Sequence, residues 1–106
     1  MTEIIYRPRE HSMVFNGHAG YAEAGKDIVC AGISSLMYAA PAMLRKKDIK
    51  YFLDLNEPEG FIHIKAYPEG KAENHDSAII LGTVAEGLKL MAEHYPDNVK
   101  FTKEVI

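Results

Sequence analysis

The chain has 106 residues, of which 47% are apolar and 25% charged, and its formal net charge is −3. This length and composition suit one folded domain over residues 1–106 and exclude a disordered chain. Because no basic run exceeds Arg45-Lys46-Lys47, the charge pattern argues against sequence-independent phosphate binding, and no direct nucleic-acid partner is expected.

The opening MTEIIYRPRE lacks the basic start and apolar centre of a signal peptide. No continuous apolar stretch approaches the roughly 18–20 residues of a membrane span, so a cytoplasmic chain with no membrane partner is expected. Residues 2–6 and 12–17 read as two short strands forming a hairpin around Arg7-Pro8-Arg9-Glu10, the second strand apolar at Met13, Val14 and Phe15. A glycine-rich connection follows. Then Val29, Ile33, Leu36, Met37, Ala40 and Leu44 recur near a 3.6-residue period and mark an amphipathic helix. Pro41 either ends that helix at residues 38–40 or kinks it on the way to about Arg45.

Residues 50–55 and 61–67 fit strands on either side of the turn-forming Asn56-Glu57-Pro58-Glu59-Gly60. In the second of these, Ile62, Ile64 and Ala66 should face the core and His63 and Lys65 the opposite side. Asn74 or Asp76 is placed to cap a second helix carrying Ile80, Val84, Leu88 and Met91, which Pro96 stops after His94-Tyr95. Gly82 and Gly87 weaken this helix by about 1 kcal/mol each unless close packing needs them. Residues 99–106 close the chain as a fifth strand. The order β-β-α-β-β-α-β predicts an α/β two-layer sandwich, a mostly antiparallel sheet with two helices on one face.

Chemistry concentrates in GHAGYAEAGKDIVC, residues 17–30. Cys30 is the only cysteine, so an internal disulfide and a four-cysteine metal site are excluded. With Asp27 as N-cap, Cys30 falls in the first helical turn, where free N–H groups and the helix dipole favour a thiolate and can hold an oxyanion. The Asp27 carboxylate opposes a second negative charge there. His18 is the nearest base in sequence, and Ser34, four residues after Cys30, shares its helical face. His11, His63, His75 and His94 lack the spacing of a metal site, and no cofactor or metal is expected. Spacing alone leaves Cys30 open between a nucleophile and a small buried apolar residue, and His18 between a base and an ordinary loop histidine.

The stretch GHAGYAEAGKDIVCAGISSL resembles the signature of the ribosomal-processing cysteine proteases of bacteria: Gly-His-Ala, a glycine-containing loop, Gly-x-Asp-Ile-Val-Cys-Ala and a following Ser. The resemblance is dense over residues 16–36 and looser in the element order and in Tyr95-Pro96. It implies a cysteine endopeptidase that removes the N-terminal extension of a large-subunit ribosomal protein, with Cys30 as nucleophile and His18 as its partner. Gly17, Asp27 and Ser34 match accompanying motif positions. The resemblance also implies a homodimer, and a loop between histidine and cysteine that rearranges around substrate. Ala24 departs from it, standing where the family carries a bulkier, often aromatic residue. Two other functions fit the same residues: a non-catalytic dimeric ribosome-associated binding or assembly factor, and a redox sensor whose thiol is resolved by another chain.

Overall fold

The computed structural model describes residues 1–23, 25–56, 58 and 60–105. Strands β1 (Thr2–Arg7) and β2 (Ser12–Asn16) form the expected hairpin, joined through a single 3-10 turn at Pro8–Glu10. Helix α1 (Ile28–Lys46) leads to β3 (Lys50–Asn56) and β4 (Phe61–Tyr67), and α2 (Gly70–His94) leads to β5 (Val99–Lys103). The sheet order is β3-β4-β2-β1-β5. All pairs are antiparallel except β1 with β5, which run parallel because the chain crosses over through α2.

Register explains which sheet face is covered. Ile4 lies opposite Phe15, which lies opposite Ile62, and Tyr6 lies opposite Met13, which lies opposite Ile64. Ile4, Tyr6, Met13, Phe15, Ile64 and Ala66 are buried, together with Val29, Ile33, Met37 and Leu44 from α1 and Leu81, Val84 and Leu88 from α2. Both helices therefore lie on one face, as the period-2 and period-3.6 patterns require. His63 projects from the other face, edge-on to Phe52 at 5.6 Å between ring centroids.

At Pro41 the second of the two expected courses holds, while the start of α2 and the end of β5 differ from those expected. α1 runs through Pro41, whose ring is buried, and the Met37 carbonyl forgoes the N–H that proline lacks; packing of Met37, Ala40 and Leu44 outweighs that loss. α2 starts at Gly70, ahead of both Asn74 and Asp76. The Glu73 carboxylate, four residues on, accepts the Glu69 N–H at 3.1 Å, and the N-cap Glu69 makes no side-chain cap bond of its own. Asn74 instead meets His11 Nε2 at 2.9 Å, and Asp76 pairs with Lys47 at 3.2 Å. β5 ends at Lys103, and the end of the predicted strand at Ile106 lies outside the described residues, as do Glu57 and Glu59 of the turn and Ala24 of the loop.

By length and hydropathy α1 is also apolar enough to cross a membrane, against the expectation from continuous runs, because its alanines, glycine and serines interrupt those runs at little cost in hydropathy. Its apolar stripe is buried against the sheet and α2, the placement of a core helix. The close approach of α1 to α2 depends on small residues. A Cβ on Gly87 would stand 2.8 Å from Leu36 Cδ2, and one on Gly32 would stand 3.0 Å from Met91 Cε. Gly87 thus has a packing reason, whereas a Cβ on Gly82 would make only an ordinary contact at 3.8 Å with Tyr6 Oη.

Candidate active site

Strand β2 ends at Asn16, and Gly17 turns the chain with φ +91. The Gly17 N–H donates to the Gly60 carbonyl at 2.8 Å, and Thr2 Oγ1 donates to the Gly17 carbonyl at 3.1 Å. A Cβ on Gly17 would collide with the Met1 carbonyl oxygen. These contacts moor the residue immediately before His18. On its other side, Ala19 is buried and its carbonyl accepts Asn98 Nδ2 at 3.0 Å. Tyr21 stands edge-on to Tyr95, with centroids 5.6 Å apart.

The loop is tied to α1 through Asp27. Its extended backbone makes it the N-cap, and Oδ1 accepts the Cys30 N–H at 2.9 Å, which puts Cys30 at the third helical position as the spacing predicts. The other oxygen, Oδ2, accepts the N–H groups of Tyr21 at 3.1 Å and Ala22 at 3.4 Å. Desolvation opposes the charge on Asp27, but the backbone N–H groups of Cys30, Tyr21, Ala22 and Val29 together outweigh it and hold the carboxyl below its ordinary value of 3.8.

Helix-start N–H groups were expected to be available to a thiolate or an oxyanion. Instead the Cys30 N–H is held by the Asp27 side chain and the Ala31 N–H by the Asp27 carbonyl at 3.1 Å. The Ala31 bond is the first regular bond of the helix, so the Asp27 side chain takes one orphan donor, the Cys30 N–H.

A folded-state value below the ordinary one means that ionised Asp27 stabilises the fold above about pH 3.8, and that this stabilisation is lost as pH falls through the lowered value. Asp27→Ala is expected to cost about 1 kcal/mol near neutral pH. Asp27→Asn, which keeps an accepting oxygen, should cost less. Thermal melts between about pH 7 and 3 check this: the gap between wild type and Asp27→Asn should close only at the acid end.

His18 and Cys30 meet at two clefts. The first, of about 240 Å³, is lined by Phe15, Ile33, Met37, Tyr38 and Ile62, with Thr2, Gly17, Ser34 and Gly60 beside His18 and Cys30. The second, of about 580 Å³, is walled by Gly20, Ala22, Gly25, Asp27 and Ala31. His18 is exposed and Cys30 half-buried, so reagents can reach both. No hydrogen bond joins the two side chains among the described residues. Ser34 shares the first cleft with Cys30, as its spacing predicts.

Another groove, of about 500 Å³ between α2 and β5, is lined by Tyr6, Ala85 and Phe101 and lacks both Cys30 and His18. Burial pushes its Tyr6 phenol up, which keeps it protonated. The two clefts that His18 and Cys30 share are the candidate site.

Sequence reasoning missed Thr2, Gly60 and Asn98 as supports of this loop. They lie far from it in sequence, and no periodicity or motif spacing links them to His18.

A thiol and an imidazole that share the walls of a cleft are the groups a thiol hydrolase class of site requires. The chain matches the family model Cysteine protease Prp over residues 1–100. It belongs to that family and is a cysteine-type peptidase. It is 29% identical over 99 residues to the ribosomal processing cysteine protease Prp of Bacillus subtilis, covering 90% of this chain and 87% of that one. It is 28% identical over 93 residues to the Staphylococcus aureus protein of the same description, covering 83% and 81%. The fold is similar to the S. aureus protease crystallised with a covalently linked product peptide, with TM-score 0.84, 24% identity, and 98% and 100% of the two chains covered.

Proposed function

We propose that the chain is an endopeptidase that removes the N-terminal extension of a large-subunit ribosomal protein, working as one domain through a His18–Cys30 dyad. The observation that carries this is the shared placement of His18 and Cys30 on the walls of both clefts, one apolar and one lined by small residues. The names of the B. subtilis and S. aureus relatives support the ribosomal substrate, and a cytoplasmic place of action and a homodimer follow from the same reading.

In this mechanism His18 takes the Cys30 proton, and the sulfur attacks the scissile carbonyl carbon. The C–N bond breaks as the imidazolium protonates the leaving amine. Water, activated by the same imidazole, then cleaves the thioester and restores the thiol. Ser34 stands on the cleft wall to hydrogen-bond substrate.

An oxyanion at the Cys30 N–H requires Asp27 to release that donor. Tyr21 and Ala22 hold the other oxygen of the same carboxylate, so a turn of the Asp27 side chain that frees Cys30 also disturbs the loop. The loop between histidine and cysteine therefore rearranges as peptide enters, and the dyad closes to bonding distance only then.

Labelling tests the nucleophile. Iodoacetamide should add one mass increment, on the tryptic peptide containing Cys30, and cleavage should fall in proportion to labelling. Full cleavage by completely labelled protein would contradict the assignment.

A further inference from the structure

Gly60 ends the β3–β4 connection with φ +67 and lines the same cleft as His18 and Cys30. Its carbonyl accepts the Gly17 N–H at 2.8 Å. A Cβ on Gly60 would stand 3.0 Å from His18 Nε2, 3.2 Å from His18 Cδ2 and 3.1 Å from the Gly17 carbonyl carbon. Each is shorter than ordinary van der Waals contact between such atoms, about 3.5–4.0 Å. The Nε2–Cδ2 side of the imidazole therefore lies in space that only glycine leaves empty.

We propose that Gly60 is a positioning residue for His18. Its bare Cα seats the imidazole, and its carbonyl fixes the backbone one residue earlier. Any L side chain at position 60 pushes Nε2, one of the two ring nitrogens able to exchange a proton, off its seat. The ring must give by a few tenths of an ångström, a fraction of the misplacement of about 1 Å that costs up to about 10²-fold in rate. The proposal rests on His18 being the base for Cys30, and it assigns to the β3–β4 turn the placement of that base.

The matching control is Gly70, at the start of α2. It has φ +88 and nothing within 4 Å of a built Cβ, so alanine there carries comparable backbone strain without touching the dyad. Wild type, Gly60→Ala, Gly70→Ala and His18→Ala are compared in two assays. One is steady-state cleavage of a peptide covering the host's extended ribosomal-protein N-terminus. The other is the pH profile of Cys30 alkylation by iodoacetamide.

Gly60→Ala should lower kcat by about 3–10-fold with KM within about twofold, and its alkylation profile should move towards that of His18→Ala. Gly70→Ala should follow wild type. A wild-type alkylation profile in Gly60→Ala, with His18→Ala clearly displaced, would overturn the role of Gly60 and leave the dyad standing. If His18→Ala itself matches wild type in both assays, the dyad fails and the role of Gly60 fails with it.

Thermal melts cover the case of poor folding. Gly60→Ala should lower Tm more in the wild-type background than in His18→Ala, where the ring is gone. Equal losses in both backgrounds would overturn the contact.

Discussion

His18→Ala is expected to lower kcat for peptide cleavage by about 10²–10⁴-fold, the usual worth of a positioned general base. KM and Tm should change little. The side chain is exposed and belongs to no part of the buried core, so its loss leaves the packing of α1, α2 and the sheet untouched. What it removes is, among the described residues, the one imidazole lining the clefts beside Cys30. Steady-state kinetics with parallel melts separate the two effects. A kcat within about twofold of wild type would mean that Cys30 is activated by something else.

Gly17→Ala is expected to damage both fold and activity. Its φ of +91 disfavours any L side chain, a cost of about 1–2 kcal/mol, and the new Cβ collides with the Met1 backbone, which cannot rotate away as a flexible side chain can. Together these should cost about 3 kcal/mol and lower Tm by roughly 10–20 °C for a domain of this size. The backbone must shift where Thr2 and Gly60 grip it, and His18 is the next residue, so cleavage should fall even at temperatures where the protein stays folded. Gly25→Ala is the contrast. Gly25 has φ +86 but nothing within 4 Å of a built Cβ, so only the strain of about 1–2 kcal/mol applies. Circular-dichroism melts of the two variants check the difference. Equal Tm losses would remove the Met1 collision from the explanation.

Much of the fold can be read from the chain because its patterns are local. Alternation at Ile62, Ile64 and Ala66 and helical spacing at Ile33, Met37 and Leu44 identify the buried faces directly. The start of α2 was harder to place because its capping contact comes from Glu73, a residue type that does not mark an N-cap by itself. Pro41 was ambiguous because the outcome depends on tertiary packing, which spacing does not encode. At the candidate site, Asp27, Cys30 and Ser34 were legible from helix geometry and His18 from motif resemblance. The supports at Thr2, Gly60 and Asn98 were not, since contacts across 15, 43 and 79 residues arise only when the sheet assembles. Asp27 also corrected a simple idea of the helix start as a ready set of free donors. The residue that begins the helix holds the Cys30 N–H with one carboxylate oxygen and the Tyr21 N–H of the loop with the other.

The decisive measurement is the mass of the host's large-subunit ribosomal protein, carrying its N-terminal extension, after incubation with wild type and with Cys30→Ala. One discrete N-terminal cut by wild type and none by folded Cys30→Ala is the predicted result. An intact substrate with wild type, or the same cut with Cys30→Ala, would contradict the assignment of Cys30 as the nucleophile that processes it.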